Sequence, residues 1–330
     1  MPIYLPTLKR DGRLAQTHIT YCIVGSRKGD TASDAADIGT WNIFAPNLTI
    51  YGFEADPEGC AAANAQLAAQ NISWTEKHFP VGLWSSSEKK TLYVTKNGYG
   101  SSLFEPAQNF IDRYAPIDWI EVIKKVEIDV TSMDEFFANP ELKSDIDFIQ
   151  IDTQGAELPI LEGAKALLSR GCLGIRAEVE WLEMYRDQPH FGDIDVYLRG
   201  QGYSLFGLSP LAWFARRDIP FQNNQNPGGL AWSNALFLRD LLNPEKNHPF
   251  RTPERIFKLA CIADVLDYPD YATELLVHLT VSHGSDAQYN FADLIIESLS
   301  QIPALAGQGI SNLPFMRKIL PFAQRFKMAQ

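Results

Sequence analysis

From residue 18 to about 239, short β-branched and apolar runs alternate with longer stretches patterned as helices. That alternation predicts βαβ units around a mostly parallel sheet. Residues 19–24 and 48–54 read as the first two strands. Asp56-Pro57 then supplies a helix cap with proline at the first helical position, ahead of an Ala-rich helix. Residues 72–83 and 90–95 read as further strands, and the glycine-serine segment 97–102 as a loop placed to act as a lid. Residues 147–152 form a strand ending in a carboxyl group. The turn after it enters a helix whose Pro159 fits only in the first turn. Along 174–181, period-two alternation puts Arg176, Glu178 and Glu180 on one face. Residues 194–201 are helical in pattern, 203–208 extended, and 231–238 the last strand. Past Pro244 the period changes: Ile256, Leu259, Ala260 and Ala263 are spaced by three and four, as in packed amphipathic helices. The expected division is a Rossmann-like domain, 1–240, and a helical C-terminal extension, 241–330.

Composition narrows the function classes. Apolar residues are 45% and charged residues 21% of the chain, which excludes disordered, collagenous and disulfide-scaffold proteins. A net charge of -11 opposes a phosphate backbone, so no nucleic-acid partner is expected. Cys22, Cys60, Cys172 and Cys261 match neither a zinc spacing nor a redox pair, as expected of cytoplasmic thiols. The first sixteen residues have no apolar h-region, and no run is long and apolar enough to span a bilayer. The expected location is the cytoplasm. After Glu297 acidic residues cease, while Arg317, Lys318, Arg325 and Lys327 interleave with Phe315, Met316, Ile319, Leu320, Phe322 and Phe326. Two readings stand: peripheral contact with an anionic membrane, or a terminal helix docked on its own domain or on the mate in a homodimer.

In open α/β sheets ligands bind beyond the carboxyl ends of the strands, so those positions hold the candidate chemistry. After the first strand, Gly25 and Gly29 would let backbone approach a ligand and expose N–H groups; a plain strand-to-helix turn reads the same way. Glu54 suits the two hydroxyls of a ribose, or the favourable start of a helix beside Asp56. Asp152, with Gln154, could take a hydroxyl proton or cap a helix. Glu178 and Glu180 could add a second carboxylate, for a metal or as base and orienter, or be exposed charges. His190 is a loop histidine and a further candidate base. There is no G-x-x-x-x-G-K-[ST] loop and no H-E-x-x-H helix, and Gly100-Ser-Ser-Leu-Phe104 lacks the final glycine of a nucleophile elbow.

Four segments resemble the FkbM-type family of S-adenosylmethionine-dependent methyltransferases: 51–57 (YGFEADP), 100–106 (GSSLFEP), 147–157 (DFIQIDTQGAE) with Leu161-Glu-Gly-Ala164, and Ala177-Glu-Val-Glu180. The resemblance spans roughly residues 19 to 208. It implies a class I methyltransferase sheet, mostly parallel and closed by an antiparallel hairpin. It also implies O-methylation of a hydroxyl on a sugar, polyketide or related metabolite, with a small molecule or glycan as acceptor. Carried onto this sequence, Gly25, Ser26, Arg27 and Gly29 fall at the methionine turn. Glu54 and Ala55 fall at the ribose, and Val81 and Gly82 near the adenine. Ser101, Ser102 and Gln154 offer groups to a hydroxylated acceptor. Asp152 is expected to take the hydroxyl proton, with Glu180 or His190 orienting or sharing that role. Two departures stand out: Ile23 replaces the usual acidic residue before the turn, and Arg27-Lys28 replace smaller or neutral ones. A register using Asp37-Ile-Gly-Thr40 leaves too few residues before Leu48 for a crossover. The competing classes are a non-catalytic scaffold with a degenerate methyltransferase fold and an NAD(P)-dependent oxidoreductase, although Gly25-Ser-Arg-Lys-Gly29 does not give G-x-G-x-x-G.

Overall fold

The computed structural model describes residues 1–26, 39–115, 118–143, 145–219, 221 and 227–324. Arg27, Lys28, Gly29 and the end of the cationic tail, with Arg325 and Lys327, lie outside the described residues. Eleven strands are described: β1 (Ile19–Val24), β2 (Leu48–Phe53), β3 (Thr75–Phe79), β4 (Gly82–Leu83), β5 (Glu88–Thr95), β6 (Tyr114–Ala115), β7 (Val122–Thr131), β8 (Phe148–Ile151), β9 (Gly174–Glu180), β10 (Ser204–Arg216) and β11 (Gly229–Leu238).

Eight strands form one sheet in the order β3-β2-β1-β8-β9-β11-β10-β6. β2 with β3, β1 with β8, and β8 with β9 pair in parallel. β11 runs antiparallel between β9 and β10. The mostly parallel order and the antiparallel closing hairpin are those that the resemblance implies. Every residue of β1 and β2 is buried, as befits central strands covered on both faces, which need an unbroken apolar run rather than alternation. The helix Pro57–Ala68 begins where the sequence predicts, the Asp56 side chain accepting the Glu58 N–H at 3.2 Å with Pro57 in the first turn.

The expected strands at 72–83 and 90–95 resolve differently. The first is two strands, β3 and β4. The second, as β5, pairs antiparallel with β7 in a separate three-stranded sheet, β4-β7-β5. β7 escapes the sequence reading because its residues Val122 to Asp129 alternate between partly and fully exposed positions, so no buried apolar run marks it.

The described residues cluster into two units. One holds the sheet, within 20–31 and 49–240. The other gathers residues within 1–19, 32–48 and 241–330, so the amino-terminal segment groups with the carboxyl-terminal helices rather than with the rest of 1–240. Inside that helical unit the helices Pro253–Val265, Pro269–His283 and Ala292–Ser300 carry the core. Asp264, almost fully buried, accepts the backbone N–H groups of Ile3, Tyr4 and Leu5 at 2.8 to 2.9 Å, satisfying orphan donors at the start of the helix Leu5–Arg10. Arg13 donates to the carbonyls of Ala287, Gln288 and Asn290 and lies over the Phe291 ring. Met316 and Ile319 of the basic tail are buried in this unit, and Asn290 holds the Phe322 carbonyl at 3.0 Å. As far as residue 324 the tail is a docked segment. Among the described residues no helix is long and apolar enough to cross a membrane.

Candidate active site

The carboxyl ends of β1, β2, β3 and β8 converge through backbone bonds. Gly25 and Ser26 both donate N–H to the Phe53 carbonyl at 2.9 Å, Glu54 donates to Phe79 at 3.1 Å, and Asp152 donates to Val24 at 3.0 Å. Gly25 has φ +79, and a Cβ there would stand 1.9 Å from the Asp152 carbonyl oxygen. Only glycine permits that approach. The glycine turn therefore differs from the expectation of exposed donors: of its described N–H groups, both Gly25 and Ser26 already serve Phe53.

Below the turn lies a chain of side chains that sequence reasoning missed. The Ser26 hydroxyl meets His78 Nδ1 at 2.8 Å, and His78 Nε2 meets Glu76 Oε1 at 3.0 Å. Trp74 donates to the other Glu76 oxygen at 2.8 Å. The imidazole packs on Gly52, its register partner in β2, where a Cβ would come within 2.1 Å of Nδ1. Glu54 is buried at the end of β2 and accepts the Asp56 N–H at 2.9 Å. Ala55 is near van der Waals contact with Gly82, at 3.8 Å from the position of its Cβ, and Val81 N–H bonds Phe79 at 2.9 Å. Gly25, Ser26, Glu54, Ala55, Val81 and Gly82 thus meet at one row of strand ends.

The other side of Asp152 is acidic. After β8 the chain turns through two left-handed residues, Gln154 (φ 58) and Gly155 (φ 101). Glu157, fully buried, holds this turn by accepting Thr153 N–H (2.7 Å), Thr153 Oγ1 (2.9 Å) and Gly155 N–H (2.9 Å). The turn aims the Gln154 amide so that Nε2 donates to Asp152 Oδ1, at 3.0 Å, and also to Glu178. Gln154 Oε1 accepts the buried Tyr185 hydroxyl at 2.8 Å. Burial foremost, with neighbouring carboxyls adding to it, pushes Glu178 and Glu180 well above the usual carboxyl range. Burial pushes Glu157 up to about 7. Both Glu180 oxygens lack a hydrogen-bond partner among the described residues, as suits an acid carrying its proton.

Glu178 and Gln154 form the polar end of a cleft of about 360 Å³ whose walls are Tyr99, Trp119, Met184, Trp213, Phe214 and Trp232. That volume falls in the range of small-molecule sites. These walls come from five separate stretches, and the only local sign of them is an excess of aromatic residues on the two hairpin strands.

The other expected site residues are placed as follows. Asp152 is exposed and joined to Glu178 through Gln154. Glu180 is sealed at 0% exposure, and Glu178 rather than Glu180 reaches the cleft. His190 is exposed at the start of the helix Phe191–Gly200, its N–H bonding Asp193 at 2.9 Å, and it does not line the cleft. The Ser102 hydroxyl donates to the Gln154 carbonyl at 2.6 Å, and Ser101 Oγ accepts the Thr95 N–H at 3.1 Å, so both hold the loop rather than line the cleft. Among the described residues no group of three or more His, Cys, Asp or Glu side chains could hold a metal ion. All four cysteines are buried thiols, raised above their ordinary pKa by that burial.

Residues 24–205 match the model of the methyltransferase FkbM domain. No curated protein matches the chain. Among solved structures, methyltransferase FkbM from Methylobacillus flagellatus KT is 14% identical with a TM-score of 0.38, the match covering 67% of this chain and 43% of that one. Magnesium protoporphyrin IX methyltransferase (ChlM) from Synechocystis PCC 6803, solved with bound SAM, is 12% identical with a TM-score of 0.33, covering 72% and 76%. M. capricolum TrmK, solved with S-adenosyl-homocysteine, is 7% identical with a TM-score of 0.34, covering 81% and 93%. The match to the first of these spans less than half of its length.

Proposed function

Because the chain belongs to the methyltransferase FkbM family, whose domain model spans more than half of it, we propose that it is an S-adenosylmethionine-dependent O-methyltransferase acting on a hydroxyl of a sugar, polyketide or related metabolite. The observation that carries this reading is the double placement of Asp152. Its backbone closes the row of strand ends against Val24 and Gly25, and its side chain shares the Gln154 amide with Glu178 at the head of the cleft. One residue thus joins a nucleotide-type site to an acceptor-type site.

The residues present fit S-adenosylmethionine. Gly25 offers a turn without a side chain, the buried Glu54 is an acceptor for ribose hydroxyls, and the half-buried Ala55 and Val81 would border the adenine. When bound, the cofactor supplies an electrophilic methyl group on a sulfonium. The protein's own part is to orient the acceptor hydroxyl in line and to remove its proton. Asp152, the exposed carboxyl of the cluster, accepts that proton. Glu178, kept protonated by burial, donates a hydrogen bond that orients the acceptor, and Gln154 fixes the distance between the two acids.

The oxidoreductase alternative is disfavoured by the sequence of the glycine turn, since Gly25-Ser-Arg-Lys-Gly29 does not give G-x-G-x-x-G. Calorimetric titration with S-adenosylmethionine, S-adenosylhomocysteine and NAD tests the reading. Binding of the sulfonium pair without NAD is expected, and no binding of either member of the pair would overturn it.

A further inference from the structure

Resting on the methyltransferase reading, we propose that the aromatic cleft is the acceptor subsite and that it takes an uncharged, polyhydroxylated ring, laid against Trp213 with one hydroxyl toward Glu178. Size comes first: about 360 Å³ accommodates a small ring compound and little more.

The walls divide into fixed and open faces. Trp119 stacks on Phe214 with ring centroids 6.3 Å apart, and it lies against Gly100, where a Cβ would fall 2.7 Å from its ring. Those two rings are held in place by each other. Trp213 is different, being 39% exposed and without a ring partner among the described residues. An indole left so open at a cleft presents a flat apolar face, the complement of the C–H face of a ring.

Charge decides the rest. Among the described residues no Lys or Arg lines the cleft, and the groups behind its polar end are acids: Glu178, then Asp152, Glu157 and Glu180. A phosphate or carboxylate entering there would find no counter-ion among the described lining residues. A buried ammonium would find Glu178 and Glu180 held protonated, so a cation gains no ion pair from them. A purely apolar ring would cover Glu178 without giving it a partner, which costs free energy. Glu178 Oε2 takes the Gln154 amide, and a ring hydroxyl at the cleft would give that carboxyl a further partner. A ring with an apolar face and a hydroxylated rim satisfies both ends.

The test is a titration of the full chain, saturated with S-adenosylhomocysteine, followed by tryptophan fluorescence. The probes are neutral methyl glycosides of hexoses and 6-deoxyhexoses, with glucose 6-phosphate, glucuronate, glucosamine and cyclohexanol as comparisons. Saturable binding of at least one neutral glycoside is expected, with every comparison compound at least about tenfold weaker. Trp213→Ala should weaken that glycoside by about tenfold or more, the loss expected of a central aromatic anchor. Trp213→Phe should retain most of the affinity, and S-adenosylhomocysteine binding by calorimetry should stay unchanged in both variants. Tighter binding of a charged or apolar ring, no binding of any neutral glycoside, or an indifferent Trp213→Ala would overturn the proposal. If S-adenosylhomocysteine binds and no glycoside does, the subsite assignment fails alone; if S-adenosylhomocysteine does not bind, the underlying reading fails.

Discussion

The Tyr185 hydroxyl reaches Gln154 Oε1 at 2.8 Å, and that bond fixes which way round the amide sits. With the oxygen held by Tyr185, the nitrogen must face Asp152 and Glu178. Tyr185 is a positioning residue, wholly buried, with the Gly100 carbonyl as a second acceptor at 3.1 Å. Tyr185→Phe should cost about 1–3 kcal/mol of stability, the penalty of an orphaned buried acceptor. It should also lower methyl transfer far more than S-adenosylhomocysteine binding. Urea unfolding and calorimetry on the same preparation separate the two effects.

Gly25→Ala should abolish cofactor binding. The added methyl would stand 1.9 Å from the Asp152 carbonyl oxygen on a backbone at φ +79, so the strand ends must separate. Calorimetry with S-adenosylhomocysteine, alongside circular dichroism to follow the fold, measures this. Affinity equal to that of the unaltered protein would disprove the close approach.

Stability should fall as pH rises from about 5 toward 8. Burial raises the Glu157 pKa from 4.5 to about 7, so between those values the folded state binds more protons than the unfolded chain. That contribution is complete below the unfolded value and is lost as pH climbs through about 7. Glu178 and Glu180, raised in the same direction, steepen the slope. Melting temperatures across this range should drop less for Glu157→Gln, which keeps one acceptor oxygen, for Thr153 or for Gly155, but cannot ionise.

Gly52 and His78 should be thermodynamically coupled. Gly52→Ala drives a methyl to within 2.1 Å of His78 Nδ1 and should destabilise by about 1–3 kcal/mol. The same substitution made in a His78→Ala background should cost much less. A double-mutant cycle by chemical denaturation gives the interaction directly, and additive values would mean that the ring relaxes without strain.

In the helical unit, Asp264→Ala leaves the Ile3, Tyr4 and Leu5 N–H groups without their acceptor. A loss of about 3 kcal/mol or more is expected for several buried donors. Hydrogen exchange should show it first at residues 3–8.

What the chain pattern revealed, and what it hid, follows from the range of each interaction. β1, β2 and β8 are visible because buried parallel strands are continuous apolar runs, β9 because its residues alternate, and the cap at Asp56-Pro57 because capping is local. The strand-end residues Gly25, Glu54 and Asp152 followed from where ligands meet such sheets and from the family resemblance. The tie between Asp264 and residues 3–5 spans some 260 positions and leaves one local trace, an acid on an otherwise apolar helix face. The exchange of Glu180 for Glu178 at the cleft was hidden for a different reason. Both lie on the same face of β9, and only tertiary packing decides that Glu180 is sealed while Glu178 borders the cleft.

The match to the family model stops at residue 205, two residues into β10. Trp213, Phe214 and Trp232 all lie beyond it, on the hairpin formed by β10 and β11. On the proposed reading, part of the acceptor wall is therefore built outside the family's domain. A graft of residues 204–238 from a relative is expected to alter acceptor choice while leaving Gly25, Glu54 and Asp152 in place.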